Sequence, residues 1–312
     1  AHLVKQLQRT RARTSRASSE LAMASSSVQQ RPWLLLLISV VLLPAAASVV
    51  FDVNYAPTWG ADGYHLVDLG TEVRLTMDRS SGAGFGSRLS YGSGFFRMRI
   101  RVPGGYTPGV VTAFYVASDS ASGNQDEVDL EFLGDVDGKP VTLQTNVFVG
   151  GHGEREQRLH LWFDPAADFH DYSVLWNPYQ LVVFVDETPI RVLRNLTGSV
   201  PDYEFPTKPT RVRASLWDGS SWATDGGRTR VDRSRGPYTV AFRGFGVDAC
   251  ANTSATPCGS TDLWWNARRY RRLSVRQQAA YQNVRDTYIN YDYCADRDRF
   301  KNRKMPAECS YN

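Results

Sequence analysis

The feature that most limits how this chain can fold is a long series of short strand-like runs between positions 51 and about 246. The run FFRMRIRV places arginines between Phe96, Met98, Ile100 and Val102, and this alternation is typical of a strand with one buried face. Turn-rich sequence separates it from VVTAFYVA, DEVDLEFL, VTLQTNVFV, YSVLW, QLVVFVD, PIRVLR and RVRASLW, and LWNPYQL predicts a hairpin turn. About 200 residues without a long helical pattern predict one all-β domain, a sandwich or a barrel.

The pattern changes after Thr261, where helical periodicity replaces strand alternation. Residues of one face recur at steps of three and four at Tyr270, Leu273, Gln277, Tyr281, Val284, Tyr288 and Tyr291. We expect an amphipathic helix that packs against the β domain, within an extension (249–312) too short to form a second domain. This end is basic, with 11 Lys/Arg and five Asp/Glu from Ala267 onwards. It either packs against or extends an acidic face, or it is a solvated basic helix.

The first 47 residues have the pattern of a secretory leader. Met23 offers a start, Arg31 a positive region, WLLLLISVVLL an apolar core of 11 residues and PAAAS a small-residue cleavage site. The core is shorter than the roughly 20 residues that cross a bilayer as a helix. We expect residues 23–47 to be a signal peptide cleaved near Ala47, and residues 1–22 to be upstream sequence. A transit peptide is the alternative.

Without that leader the chain is nearly neutral, with 30 Lys/Arg and 31 Asp/Glu in residues 48–312, so its charge gives no reason to expect nucleic-acid binding. All four cysteines lie in the last quarter, and an even number after a secretory leader predicts disulfides. Of the three possible connectivities we favour the local one, which pairs Cys250 with Cys258 and Cys294 with Cys309. Two sequons fit a secreted glycoprotein, at Asn195 and Asn252.

The chemistry is densest in DEVDLEFLG, where four acids fall within six residues and alternate with apolar residues. Side chains alternate between the faces of a strand, so Glu127, Asp129 and Glu131 share one face while the intervening Val, Leu and Phe enter the core. Glu127 and Glu131 would be about 13 Å apart at Cα, and inward-leaning side chains on a curved strand bring their carboxyls towards the ~5–5.5 Å of a retaining glycosidase. Asp129 between them would hydrogen-bond the nucleophile and, by charge repulsion, keep one partner protonated.

The same string of acids has simpler explanations. An E-x-D-x-E string also arises by chance in solvated edge strands, and some such strings bind calcium through oxygen ligands. The position of this strand in the middle of the domain, among other apolar strands, favours catalysis.

Several longer motifs carry a resemblance to a known family. They are DEVDLEFLG, LQTNVFVGG, REQRLHLWFDP, FHDYSVLWNPYQLVVFVDETPIR, SLWDGSSWATDGG, and a C-terminal YDYCADRDRF followed by PAEC. Over about residues 50–310 the chain resembles the plant xyloglucan endotransglucosylase/hydrolases, retaining enzymes of glycoside hydrolase family 16. The resemblance implies a β-jelly-roll sandwich of two curved antiparallel sheets at 48–248, a disulfide-stapled helical extension at 249–312, and no metal or organic cofactor.

By the same resemblance, Glu127 is the nucleophile, Asp129 the helper between and Glu131 the general acid/base. Positions in or near the sugar cleft are matched by Tyr115, Gln144, Asn146, Arg155, Glu156 and Arg158. Trp217 and Trp222 would stack on sugars, and Gly226 follows in their loop. Tryptophans in Asp-, Gly- and Ser-rich sequence suit exposed loop positions, with packing at a corner of the core as the alternative. For Asn146, the alternative to a contact with the sugar is a purely structural hydrogen-bonding role. Candidate acceptor contacts are Arg299 and, more weakly, Arg271 and Arg272.

Four features depart from the family's pattern. Gln125 stands where the family has a His before the acidic motif, and Ser220 and Ser221 stand where two acids precede the Trp of WAT. Asn283 stands where a Trp is usual in the tail helix, and the segment DVDGKP lacks the sequon that many members carry. The two serines would not make some of the acceptor-side contacts that the resemblance implies for the family's acids. The histidines are expected to be surface or structural residues, at His152, His160 and His170.

The sequence therefore predicts a secreted enzyme of the cell wall or apoplast. It would cleave the β-1,4-glucan backbone of xyloglucan and transfer it to a xyloglucan oligosaccharide or polymer acceptor. The short connection VGGHGEREQRLHL resembles that of the family's transferase-type members, and the chain shows no insertion like the longer loop that hydrolase-type members carry elsewhere in the cleft, so the resemblance favours transfer over hydrolysis. An endohydrolase stays open as an alternative, as does a wall-polysaccharide-binding protein without turnover. We expect a monomer that binds no nucleic acid and, after signal cleavage, no membrane.

Overall fold

The computed structural model describes residues 49–79, 81–119 and 122–311. The expected upstream segment (1–22) and signal peptide (23–47) lie outside these residues. In the described part of the chain, no helix is long and apolar enough to span a bilayer.

The described residues contain sixteen strands and two short α-helices, joined by 3₁₀ turns and loops. The first eight strands are β1 Tyr55–Trp59, β2 Tyr64–Val67, β3 Glu72–Met77, β4 Ala83–Ser87, β5 Tyr91–Arg101, β6 Val110–Ser118, β7 Glu127–Leu133 and β8 Thr142–Phe148. The others are β9 Gln157–His160, β10 His170–Trp176, β11 Gln180–Val185, β12 Thr188–Arg194, β13 Thr210–Asp218, β14 Tyr238–Arg243, β15 Val247–Ala251 and β16 Ile289–Asp292. The helices are α1 Phe51–Asn54 and α2 Val275–Thr287.

The strands form two antiparallel layers. Sheet A has the order β1-β4-β13-β6-β7-β8-β9-β16, and sheet B the order β12-β11-β10-β5-β14-β3-β2. Strand β15 pairs with the first half of β5, and the two sheets are joined at the single pair Thr210–Tyr91. In β5, Phe96, Met98 and Ile100 are buried and the arginines lie on the other face, as the alternation in FFRMRIRV predicts.

The two sheets pack face to face around one core. Phe132 of sheet A meets Tyr172 of sheet B edge-on at 4.8 Å between ring centroids. At another point in the core, Phe85 and Phe242 pack edge-on at 5.1 Å. These contacts make the molecule a sandwich, and the predicted β-jelly-roll architecture with a C-terminal helix is confirmed.

The C-terminal extension wraps around one side of the sandwich. Val182 and Val192 project from the outer face of sheet B and pack with Trp265 and Tyr281 in a second, smaller core. Strand β16 then joins sheet A beside β9. Two disulfides close this region, Cys250–Cys258 and Cys294–Cys309, and they confirm the predicted local pairing.

Helix α2 is shorter than the segment over which the sequence shows helical periodicity. It starts after Ser274, whose side chain accepts a hydrogen bond from the Gln277 amide while the Gln277 side chain caps Ser274 in return. Tyr270 lies before the helix in a 3₁₀ turn, and Tyr291 lies after it in β16. The periodic aromatic residues therefore belong to three elements: the 3₁₀ turn, α2 and β16. The periodicity extends beyond the helix because the chain continues to pack against the β sandwich.

Candidate active site

Strand β7 lies in the middle of sheet A, between β6 and β8. The register places Asp129 between Tyr115 and Asn146. One row further on, Glu131 lies between Ala113 and Gln144, and Glu127 lies one row back. Because paired side chains on one face lie about 5 Å apart, the sheet gathers these polar groups into one open surface.

The faces of β7 alternate as predicted. Val128, Leu130 and Phe132 are buried in the core between the sheets, while Glu127 and Glu131 are half-buried on the opposite face. Asp129 is only 7% exposed although it lies on the open face. The central carboxyl is therefore shielded from water by the two outer ones and their neighbours.

Burial sets the proton affinity of the central acid. It raises the pKa of Asp129 well above its usual range, and the charges of Glu127 and Glu131 and a hydrogen bond with Glu127 raise it further. The positive charge of Arg191 opposes the rise. A protonated Asp129 can donate a hydrogen bond to the Glu127 carboxylate, which would hold that group in place.

Glu131 also has a raised pKa. Burial is the main cause, and the carboxylates of Glu127 and Glu156 add to the rise. The hydrogen bond from Gln144 and the charge of Arg158 oppose it. A carboxyl that keeps its proton closer to neutral pH is suited to act as a general acid.

A chain of hydrogen bonds fixes Glu131. The Gln144 Nε2 donates to Glu131 Oε2 at 2.8 Å, and Arg158 Nε donates to Gln144 Oε1 at 2.7 Å. Arg158 in turn lies over the ring of Tyr291 in the C-terminal extension, 5.4 Å from the centroid. Side chains of β7, β8, β9 and β16 thus form one row that ends on the acid.

The other predicted cleft residues near this row have their own partners. The Asn146 Oδ1 accepts from the Arg155 amide at 3.0 Å and from the Val147 amide at 2.9 Å. Tyr115 lies beside the Arg213 guanidinium, and burial raises the pKa of the Tyr115 hydroxyl. The same guanidinium binds Asp119, with 2.5 Å between Arg213 Nη2 and Asp119 Oδ1.

Charged pairs bind the tail to the residues just before β9. Arg155 Nε donates to Glu308 Oε1 at 2.6 Å, and that carboxylate is 2% exposed. Arg299 donates to both oxygens of Glu156 and to the Tyr291 hydroxyl. Arg155, Glu156 and Arg299 therefore already have protein partners, and their predicted contacts with sugars stay predictions.

Asp126 has a different role from the three acids that follow it. Its side chain is 2% exposed and accepts from three backbone amides, those of Gly150, Thr207 and Lys208, at 2.8–3.0 Å. Asp126 is not among the site residues predicted from the sequence. Alternation places Asp126 with the core-facing residues of the strand. A buried acid on that face needs hydrogen-bond donors from the protein, and this requirement could have indicated its structural role from the sequence.

The predicted aromatic pair lies at the end of β13, which holds Trp217, and in the loop that follows it, which holds Trp222. Trp217 and Trp222 are half-buried, with ring centroids 6.1 Å apart. Thr224 anchors the loop, since its hydroxyl donates to the Gly134 carbonyl at the end of the acidic strand and accepts from the Gly109 amide. Gly226 is exposed, and its φ of 66° explains the choice of glycine.

Two of the candidate acceptor contacts lie elsewhere. Arg271 stacks over Tyr179 in the β10–β11 hairpin, and Arg272 lines a groove between sheet B and α2. Both belong to the side of sheet B that faces away from sheet A. The two arginines, which were predicted to contact the acceptor, are therefore separated from the three acids by the thickness of the sandwich.

The remaining predicted positions lie at the surface. Of the two sequons, Asn252 is exposed and Asn195 is half-buried, with its side chain donating to the Pro178 carbonyl. His152 and His160 are exposed, while His170 stacks on Phe163 and pairs with Asp186. Gln125 Nε2 lies 3.5 Å from Glu127 Oε2, so the residue that replaces the family's His still reaches the acid.

No cluster of three or more His, Cys, Asp or Glu within the described ranges is arranged to hold a metal ion.

The sandwich and its carboxylate strand define a class of carbohydrate-active enzyme, and sequence comparison gives the family. The model of glycosyl hydrolases family 16 matches residues 51–235, and the model of the xyloglucan endo-transglycosylase C-terminus matches residues 259–309. The chain belongs to glycosyl hydrolases family 16 and carries the C-terminal region of its xyloglucan endo-transglycosylase branch.

Curated relatives agree over most of the chain. Xyloglucan endotransglucosylase/hydrolase protein 3 of Arabidopsis thaliana is 49% identical over 265 residues, which cover 84% of this chain and 89% of the relative. Xyloglucan endotransglucosylase/hydrolase of Brassica oleracea var. botrytis is 42% identical, with 91% and 98% covered.

Solved structures agree on the fold. The laminarinase from Rhodothermus marinus superposes with a TM-score of 0.51 at 18% identity, covering 65% of this chain and 93% of that one. The catalytic domain of the Thermotoga maritima laminarinase gives 0.50 at 16% identity, with 62% and 92% covered. At these identities the likeness concerns the fold alone.

Proposed function

We propose that this protein cleaves the β-1,4-glucan backbone of xyloglucan and transfers the glycosyl fragment to a xyloglucan acceptor. The observation that carries the proposal is the division of roles among the acids of β7. Glu131 has a raised pKa and a fixed position, which suits a proton donor, while Glu127 lies two rows away on the same face. The curated relatives are named for the same activity.

The reaction follows in two steps. A carboxylate oxygen of Glu127 attacks the anomeric carbon as Glu131 gives its proton to the departing glycosidic oxygen, which breaks the backbone and forms a glycosyl–enzyme ester. Glu131, now ionised, then removes a proton from an acceptor hydroxyl. That oxygen displaces Glu127, so a new glycosidic bond of the original configuration forms and both acids return to their first state.

Asp129 supports both steps from its buried position. While protonated it hydrogen-bonds Glu127 and holds the attacking oxygen in one orientation. Its neutral form adds no further negative charge between Glu127 and Glu131. Gln144 and Arg158 keep Glu131 aligned while its charge changes.

The acceptor decides between transfer and hydrolysis. A saccharide hydroxyl gives transglycosylation and water gives hydrolysis, so the ratio depends on how well a bound acceptor competes with water. The compact connection between β8 and β9, residues 149–156, supports transfer in our proposal. Endohydrolysis is the second candidate, and it shares the same first step.

We also propose that the protein is secreted to the cell wall and acts there as a monomer. The leader pattern of residues 23–47 and the two disulfides support secretion, since disulfides persist in oxidising compartments. The exposed sequon at Asn252 supports glycosylation at that position.

One assay separates these functions. Purified protein is incubated with xyloglucan and a fluorescent xyloglucan oligosaccharide, and label in polymer and new reducing ends are measured in the same tube. Label incorporation with few new reducing ends is the expected result. Reducing ends without incorporation would make the protein a hydrolase, and neither signal on several glucans would contradict the enzyme proposal.

Two variants test the assigned roles. Glu127→Ala should lose turnover by about 10⁴-fold or more while it still binds xyloglucan. Glu131→Ala should lose turnover as well, and it should recover more activity than Glu127→Ala with a donor whose leaving group needs no proton. Equal recovery of both variants would contradict the assignment.

A further inference from the structure

The segment before α2 is an unusually dense cationic surface. Five of the nine residues in 268–276 are arginines, and all five are exposed: Arg268, Arg269, Arg271, Arg272 and Arg276. We call this the arginine segment. None of its side chains lies within ion-pair distance of a carboxylate of the described residues, whereas Arg285, further along, is paired with Asp292 at 2.9 Å.

The local sequence offers no compensation for this charge. Residues 267–285 contain no Asp or Glu. On either side, Asp262 bonds with Ser260 and Asp286 accepts from Gln282. Uncompensated like charges repel one another in the folded state and attract a polyanion from solution. The segment therefore has the charge of a binding surface for an anionic polymer.

A groove beside the arginine segment indicates which polymer. It has a volume of about 790 Å³ between α2 and the outer face of sheet B, and its lining includes Gln180, Val192, Arg194, Arg272, Gln278 and Tyr281. Arg194 is exposed and, like the arginine segment, has no described carboxylate partner. Guanidinium groups bind carboxylates through paired hydrogen bonds. The exposed amide of Gln278 suits sugar hydroxyls, and the exposed ring of Tyr311, which also lines the groove, suits pyranose faces.

The groove and the three acids lie on opposite sides of the molecule. Val192 projects outward from sheet B into the second core, while the acids project outward from sheet A. Because packed sheets are about 10 Å apart, the whole sandwich separates the two surfaces. A polymer on the groove would leave the acids open.

We propose that the arginine segment and this groove bind an acidic polysaccharide through its uronate carboxylates. Such binding holds the enzyme on one wall polymer while the acids act on another. The acidic polysaccharide would be a second ligand besides the glucan substrate, and its binding does not depend on turnover of the glucan.

The direct test measures binding of the purified protein to immobilised polygalacturonate at low and high salt. Fully methyl-esterified polygalacturonate, which has the same backbone without charge, is the comparison. Binding to the acid form that weakens with salt and is absent on the ester is expected. Equal binding to both forms would overturn the proposal.

A charge variant locates the surface. Arg194, Arg268, Arg269 and Arg276, all replaced by Gln, should weaken binding about tenfold. Its control replaces Arg79, Lys139, Lys301 and Lys304 by Gln, which removes the same charge from other exposed positions and should change binding less than about twofold. Equal losses in the two variants would mean that net charge alone binds the polymer, and the proposal would fail.

A shape variant tests the groove itself. Gln278→Trp fills the groove without changing charge and should abolish binding of a short galacturonate oligosaccharide. Unchanged binding would show that the groove is not the site. A single-stranded RNA that binds wild type as tightly as polygalacturonate would overturn the choice of a polysaccharide.

Label transfer measured on the same variants keeps the two proposals distinct. The variants should retain wild-type transfer, since none of these residues belongs to the carboxylate surface. If wild type shows no transfer at all, the glucan proposal fails while the binding result stands. If transfer falls in parallel with binding, the separation of the two surfaces is contradicted.

Discussion

Two adjacent acids at the start of β7 have opposite environments. Asp126 faces inward and accepts three backbone amides, from the turn at Gly150 and from the loop at Thr207 and Lys208. Glu127 faces the open surface and is half-buried. A single step along the strand thus changes a structural carboxylate into one available for chemistry.

Replacing Asp126 should cost stability. Asp126→Ala leaves three amides without an acceptor in a buried place, and we expect a loss of about 3–5 kcal/mol in unfolding free energy. Guanidinium unfolding followed by tryptophan fluorescence measures it. Asp137→Ala is the control, because Asp137 is 64% exposed, and its loss should be below about 0.5 kcal/mol. Similar midpoints for both variants would contradict the structural role.

Replacing Gln144 should change the pH profile. The hydrogen bond from Gln144 favours the ionised form of Glu131 and so lowers its pKa. In Gln144→Met that pKa rises, and the basic limb of kcat/KM moves to higher pH because Glu131 must be protonated in the first step. Thr142→Val, on the same face of β8, should leave the limb in place. A drop in rate without a shift would assign Gln144 to substrate binding alone.

At the scale of elements, the tail completes sheet A. Strand β16 pairs with β9, whose Arg158 begins the row of hydrogen bonds to Glu131. Arg155, just before β9, joins Glu308 near the end of the chain, and its amide binds Asn146 on β8. The extension therefore stabilises the part of the sheet that positions the acid.

Breaking this connection should weaken the whole edge. Glu308→Ala removes the partner of Arg155, whose side chain is 16% exposed, and of the Tyr293 hydroxyl. We expect a loss of about 3 kcal/mol. The matched control is Glu154→Ala, which breaks the exposed pair with Arg303 and should cost less than about 1 kcal/mol.

Thermal unfolding measures both variants, and hydrogen exchange in β9 and β16 should increase only in Glu308→Ala. Equal effects would mean that the buried pair contributes no more than the exposed one.

Apolar runs, alternating or continuous, predicted eight of the strands. Strands β5 to β8 and β10 to β13 lie where these runs placed them, and the alternation in β7 placed the three acids on one face. Strands β3 and β14 also alternate but were not singled out. Strand β4 was missed because AGFGS has a single large apolar residue between two glycines, one of which, Gly84, makes room for the Trp59 ring. Strands β9 and β16 have four residues each, too few for a periodic signal.

The contacts around the acids were beyond sequence reasoning for a different reason. Gln144 and Glu131 are neighbours through strand pairing, but Arg299 and Glu156 are 143 positions apart. Which residue of the tail reaches β9 depends on the path of the chain around the sandwich. Local pattern contains no information about that path.

At the scale of the whole molecule, two sets of carboxyls give stability opposite dependences on pH. Glu72 is fully buried and Asp218 is half-buried, which raises their pKa, but hydrogen bonds and nearby arginines outweigh burial and lower it. Their contribution is present above the unfolded pKa and is lost as pH falls. The raised pKa values of Asp129 and Glu131 act in the other direction, since the folded state then binds more protons than the unfolded state. Maximum stability is therefore expected in mildly acidic solution.

The active-site contribution can be isolated with Asp129→Asn. Asparagine resembles the protonated acid, so the variant should be more stable than wild type at neutral pH, by about 1 kcal/mol, while its transfer activity falls. The advantage should shrink as pH falls towards the ordinary aspartate pKa of about 3.9, because wild-type Asp129 is then protonated in both the folded and the unfolded state. Unfolding midpoints across this range measure the difference, with Asp137→Asn as a control that should show no such trend. A wild type more stable than Asp129→Asn at neutral pH would mean that the charged form of Asp129 is favoured by folding, and the proposed proton on the central acid would have to be abandoned.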